Sequence, residues 1–145
     1  MQGRFKPRHP NKYKGDPTNI IYRSSYELKL FRYLDLHPSV QWWQSEEVVV
    51  PYKSPITGRY HRYYPDVIVK RKDGKVIMIE VKPKYQTVPP DQGKMKTPTG
   101  KIKKSYINEV KEWGKNQAKW EAAKDYCADR GWSFQIMTEH ELGIK

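Results

Sequence analysis

The stretch from Tyr64 to Lys82 constrains this chain more than any other, because it sets ionisable groups inside two strands that offer no wet face. It runs Tyr64-Pro65-Asp66-Val67-Ile68-Val69, then a turn Lys70-Arg71-Lys72-Asp73-Gly74-Lys75, then Val76-Ile77-Met78-Ile79-Glu80-Val81-Lys82. Two β-branched and aliphatic runs around a Gly-containing polar turn predict antiparallel strands. Each run is apolar on both faces, so both strands belong inside a sheet covered on both sides. Asp66, at the start of one strand, and Glu80 and Lys82, near the end of the other, therefore need a reason to be there.

The register decides whether these groups meet. A two-residue Asp73-Gly74 loop would set Asp66 opposite Val81 and turn the two carboxylates to opposite faces. A three-residue Lys72-Asp73-Gly74 loop, with Gly74 in the left-handed region, sets Arg71 opposite Lys75 and Asp66 opposite Glu80. Glu80 and Lys82 share a face in either case. The three-residue loop is the expectation, since it alone gathers Asp66, Glu80 and Lys82.

Two neighbouring carboxylates in a low-dielectric site repel, and one is driven protonated unless a cation sits between them. A hard divalent ion answers that need. Mg²⁺ takes oxygen ligands and is commonly held by one or two carboxylates together with water and phosphate, and Mn²⁺ can stand in for it. Lys82 adds a positive point charge suited to orienting an attacking water or steadying a phosphate. The chemistry so described is phosphodiester hydrolysis.

Charge points the same way. Lys and Arg number 28 against 16 Asp and Glu, a net +12 over 145 residues, and self-repulsion of that size favours a polyanionic partner. Cys127 is the only cysteine, which rules out an internal disulfide. His9, His37, His61 and His140 are scattered without the spacing of a zinc site. No long apolar run or N-terminal apolar core occurs, so neither a membrane span nor a signal peptide is expected.

The length suits one domain. Residues 1–17, rich in Lys, Arg, Pro and Gly without periodicity, read as an extended basic arm before a domain at 18–145. From Ser24 to Leu36, the residues Tyr26, Leu30, Phe31 and Leu34 recur at helical spacing behind a serine N-cap. Glu27 falls inside that stripe. It is either a first-turn acid favouring the helix dipole or a third carboxylate turned toward Asp66 and Glu80.

His37-Pro38 ends the helix. A short strand at 40–43 and a better one at 46–52 follow, the latter joined through Ser54-Pro55-Ile56-Thr57-Gly58 to a strand running from Arg59 to Val69. Arg59 and Arg62 precede Asp66 and are candidate DNA contacts, as is Arg23. Residues 83–104 form a proline- and lysine-rich stretch without apolar pattern. This mobile basic loop either closes over a substrate backbone with Lys84, Lys101, Lys103 and Lys104 or is simply disordered. Residues 105–128 read as a helix with Ile107, Val110, Trp113, Trp120, Ala123 and Cys127 on one stripe, either continuous or broken into two pieces at Gly114, and a strand over 132–137 completes an α/β fold.

Pro65-Asp66, the gap to Glu80, and Glu80-Val81-Lys82 resemble the signature of the PD-(D/E)XK, restriction-endonuclease-like superfamily. The resemblance implies a mixed β-sheet flanked by helices on both faces, Asp66, Glu80 and the Val81 carbonyl as Mg²⁺ ligands, and Lys82 as the catalytic lysine. Many members also carry a glutamate on the helix before the first strand, where Glu27 stands. The segment from Tyr126 to Glu141 resembles the end of the catalytic domain of TnsA transposon-end endonucleases. Tyr13-Lys14-Gly15-Asp16-Pro17, Tyr22-Arg23-Ser24, Pro51-Tyr52, Ile79-Glu80-Val81-Lys82-Pro83-Lys84 and Arg130-Gly131 are similar to the head completion proteins of T-even-type tailed phages.

The phage likeness covers nearly the whole chain. It implies a nuclease acting on the end of packaged DNA before the neck and tail join. The partners would be DNA and the portal and neck proteins, with a homodimer as the form that cuts both strands, in the host cytoplasm or as a minor virion component. The alternatives are a non-catalytic DNA-binding head-neck assembly protein and a TnsA-like transposon-end endonuclease.

Overall fold

The computed structural model describes residues 1–144. Its centre is a four-stranded sheet in the order β3 (Val40–Gln44), β6 (Val67–Arg71), β7 (Val76–Val81) and β8 (Ser133–Met137). The first two pairings are antiparallel and the β7–β8 pairing is parallel, so the sheet is mixed. The parallel step is made by α2 (Lys104–Arg130), which crosses over between β7 and β8 as a parallel connection requires.

Alternation along β6 and β7 divides the core. Val67, Val69, Ile79 and Val81 face α1 (Ser25–Leu36), where Leu30, Phe31, Leu34 and Trp43 complete an aromatic-rich cluster. Ile68 and Met78 face the opposite way, onto Ala123 and Cys127 of α2 and onto Val50, Tyr52 and Tyr63. The last three belong to a two-stranded ribbon of β4 (Val50–Lys53) and β5 (Tyr60–Tyr63). Helices thus cover both faces, and the mixed sheet with flanking helices matches the expected restriction-endonuclease-like fold.

Several local expectations are corrected. The strand expected from Arg59 to Val69 is two strands in two sheets, because buried Pro65 has no N–H to donate to a ladder and the chain turns there. The strand expected at 46–52 shrinks to β4, since Ser45-Glu46 bends, with Glu46 at a φ of 57°. The α2 helix runs unbroken through Gly114, beside which the Pro55 ring lies. Its first half stands clear of the core: Ile107 and Val110 are exposed, and only Asn116, Trp120, Ala123 and Cys127 are buried.

The N-terminal segment also departs from the extended arm expected of it. Gly3–Phe5 (β1) pairs with Ile20–Tyr22 (β2), and Phe5 and Tyr13 are buried in the α1-side core. The N–H groups of Arg8 and His9 donate to the buried Asp35 carboxylate at 2.8 and 2.9 Å, and Lys12 Nζ donates to the Asp35 and His37 carbonyls at the end of α1. Those are the orphan acceptors of a helix C-terminus, so the basic segment closes α1 instead of trailing in solvent. Residues 83–104 contain two 3-10 turns, at Lys84–Thr87 and Gln92–Lys94, and one bridge between Lys96 and Ile102. Among the described residues no helix is long and apolar enough to cross a membrane.

Candidate active site

The β6–β7 turn fixes the site. Gly74 lies at a φ of 91°, its N–H donates to the Arg71 carbonyl at 3.0 Å, and the Arg71 N–H donates to the Lys75 carbonyl at 2.8 Å, closing the three-residue Lys72-Asp73-Gly74 loop. A bulky residue is strained at such a φ; glycine is not. Pairing of Val67 with Ile79 then puts Asp66 opposite Glu80, on the sheet face that also carries Met78 and looks toward α2.

Backbone and tyrosine hold the pair. The Val81 N–H donates to Asp66 Oδ2 at 2.7 Å. Because a strand residue's N–H and C=O lie along the same edge, the Val81 carbonyl is directed to the Asp66 side, where β6 has ended and no strand pairs with it. The Lys82 N–H points the other way, donating to the Met137 carbonyl at 3.0 Å. Tyr63, buried at the end of β5, donates its hydroxyl to Glu80 Oε2.

Burial raises the Asp66 carboxyl well above the usual carboxylate range, and the Glu80 charge raises it further, against the Val81 N–H and the Lys82 ammonium. Glu80 is likewise raised by burial, relieved first by the Tyr63 hydroxyl and then by Lys82 and Lys119. The two side chains are close enough to share a hydrogen bond when one is protonated. Their titrations belong to the pair.

Glu27 approaches from the α1 layer. Its N–H donates to the capping Ser24 Oγ at 3.1 Å, and its Oε2 accepts from the Arg23 N–H and the Ser24 hydroxyl, each at 3.2 Å. Its Oε1 is buried with no partner among the described residues. Burial, and next the Asp66 charge, push this carboxyl up to about 7. Glu27 therefore senses Asp66, yet among the described residues no three His, Cys, Asp or Glu side chains are arranged to hold one ion. The donor set on offer is two carboxylates and a carbonyl, with Glu27 outside it.

Of the remaining candidates, Arg23 stands nearest: its charge acts with Glu27 and Asp66, while its guanidinium forms a bidentate pair with Glu46 at 2.9 and 3.0 Å. Arg62 alternates with inward Tyr63 and so faces away from the pair, and Arg59 sits exposed in the β4–β5 turn. Lys84 is exposed after β7, tied by its N–H to Glu139 at 2.8 Å. Lys103 and Lys104 open α2 and Lys101 just precedes it, and among the described residues no hydrogen bond or ion pair links them to the carboxylates.

Two site residues escape the sequence reading. Tyr63 sits among alternating basic and aromatic residues ahead of Asp66, where a tyrosine reads as sheet packing. Lys119 lies next to core residue Trp120 on α2, and its nearness to Glu80 is a long-range fact of the fold. The inward alternation of β5 was the one available signal for Tyr63, and nothing local marked Lys119.

Comparison with known proteins finds a nuclease family and a nuclease relative. Residues 37–139 match the family described as TnsA-like endonuclease N terminal. The chain is 39% identical over 140 residues to the head completion nuclease of Enterobacteria phage T4, covering 97% of this chain and 92% of that relative. No solved structure matches it. Carrying the family's matched span through the strands that hold Asp66 and Glu80, and aligning almost end to end with the phage nuclease as its relative, this chain belongs to the TnsA-like endonuclease family.

Proposed function

We propose that this chain is a Mg²⁺-dependent deoxyribonuclease that acts on the end of packaged phage DNA before the neck and tail join. The observation that carries the reading is the opposition of Asp66 and Glu80 across β6 and β7, two acids raised by burial, Asp66 further by the Glu80 charge, beside the cation Lys82. Near end-to-end similarity to a phage head completion nuclease supports the phage role over transposon-end cutting.

The donors suit the ion. Asp66, Glu80 and the Val81 carbonyl are oxygen ligands only, as Mg²⁺ prefers, and a divalent charge between the acids would offset the burial that raises both and the Glu80 charge that raises Asp66 further. Mn²⁺ fits the same donors. When bound, the ion supplies Lewis acidity toward a phosphoryl oxygen and lowers the pKa of a coordinated water. Tyr63 keeps Glu80 in place, and the Val81 N–H does the same for Asp66. Lys82 offsets charge on the phosphate as water adds to phosphorus, giving up a proton to solvent, and the ester P–O bond breaks; the departing oxygen takes up a proton from solvent. Glu27, holding its proton up to about 7, orients the N-terminal turn of α1 and the Arg23 backbone toward the site.

The reading places action in the host cytoplasm at the portal and neck, on DNA that the +12 surface attracts. Linear duplex DNA incubated with the protein should be cleaved in Mg²⁺ or Mn²⁺, not in EDTA, and not by Asp66→Asn. Cleavage by Asp66→Asn at the wild-type rate would sink the proposal.

A further inference from the structure

Lys119 is a half-buried cation without a counter-ion. Its Nζ lies 5.5 Å from the centroid of the Tyr63 ring and 5.7 Å from that of Tyr52, and among the described residues it makes no ion pair or hydrogen bond. The Tyr63 ring beneath it carries the hydroxyl that holds Glu80. One turn back on α2, Lys115 pairs with Glu112 at 3.3 Å, so that acid is engaged by the other lysine.

The charged groups acting on Lys119 are Glu80 of β7 and Lys82 just after it, and Lys115 and Glu112 from its own helix. Burial and two like charges work against the ammonium, and only the carboxylates and the two ring faces work for it. A purely structural lysine would find an acceptor or turn its head to water. This one is held over two aromatic faces at the rim of an acidic site, where the missing partner is an anion.

We propose that Lys119 binds the substrate phosphate from the helix side, so that its ammonium and that of Lys82 flank Glu80 and contact non-bridging oxygens of one DNA phosphate. The inference rests on the hydrolytic reading of the same site. It makes α2 part of the reactive centre and gives the Tyr52–Tyr63 ribbon the task of holding Lys119 ready.

The test compares wild type with Lys119→Met, which keeps the stem and loses the charge, and Lys119→Arg, which restores the charge. Duplex binding is measured against salt in Ca²⁺, and cleavage in single turnover at saturating DNA in Mg²⁺. For Lys119→Met, the slope of log affinity against log salt should become shallower by about 0.9, the value of one phosphate contact. The saturating rate should fall on the order of 100-fold, as when one donor to a developing oxyanion is lost. Lys119→Arg should recover the slope, and Lys75→Met, in the exposed β6–β7 turn, should change neither.

A Lys119→Met protein with the wild-type slope and rate would overturn the inference, leaving Lys119 as packing for the ribbon. A lowered melting temperature that Arg does not restore would overturn it as well. Lys119→Gln is a second neutral variant should Met fold poorly. Failure of wild type to cut DNA would count against hydrolysis itself, while the salt slopes would still decide Lys119.

Discussion

Replacing Glu27 by Gln tests the electrostatics of the site through stability alone. In the folded chain this carboxyl holds its proton up to about 7, against an ordinary value of 4.5 in the unfolded chain. Between those values folding takes up a proton. A carboxyl raised in this way favours the folded state fully below its unfolded value, and that stability drains away as pH climbs through the window. At about 1.36 kcal/mol per pH unit, the wild type has lost about 3 kcal/mol from this group by pH 8, an upper figure.

Gln has the same shape and no charge. Its carbonyl can accept from the Arg23 N–H and Ser24 Oγ, and its amide can occupy the place of the partnerless Oε1. Urea denaturation in EDTA should therefore find Glu27→Gln equal to wild type near pH 5 and more stable by about 2–3 kcal/mol at pH 8, on the order of 8 °C in melting temperature for a domain of this size. Mg²⁺ should narrow the gap at pH 8, since a cation at Asp66 cancels the second cause of the shift but leaves burial, the first. A difference that is the same at both pH values, or larger at pH 5, would refute the reasoning.

Tyr63→Phe removes the hydroxyl that steadies Glu80; affinity for Mn²⁺, read by titration calorimetry, should drop roughly 10-fold or more, with a stability cost of only about 1 kcal/mol. Gly74→Ala meets open space but a left-handed backbone, so it should lower stability by about 1 kcal/mol through strain alone. Phe5→Ala should cost about 3–4 kcal/mol in chemical denaturation, because the ring packs edge-on against Phe31 and Trp43; a surface-sized effect would return residues 1–17 to the status of a loose arm.

The hairpin could be read from its residues because local chemistry and long-range need agreed: Gly74 supplies the left-handed turn, and only the register it closes gathers the acids. The α1 stripe was legible for the same reason, its period and its Ser24 cap coinciding. The N-terminal segment was not. Phe5 and Tyr13 are single apolar residues in polar surroundings, and what fixes them is Asp35 accepting two backbone N–H groups, which leaves no trace in periodicity. Pro65 carried a readable warning that the strand would break. Gly114 carried a false one, since packing on the core's side of α2 outweighs the modest cost of one glycine in a long helix. Lys119 became visible only when α2 was laid over the ribbon, because no spacing rule links a helix lysine to a strand glutamate.

The central claim is that Asp66 and Glu80 grip one divalent cation. A crystal soaked in Mn²⁺ and read by anomalous diffraction answers it: the account predicts a peak about 2.1 Å from an oxygen of each acid and from the Val81 carbonyl, absent in Asp66→Asn. Manganese bound elsewhere, with no peak touching either acid, would contradict it.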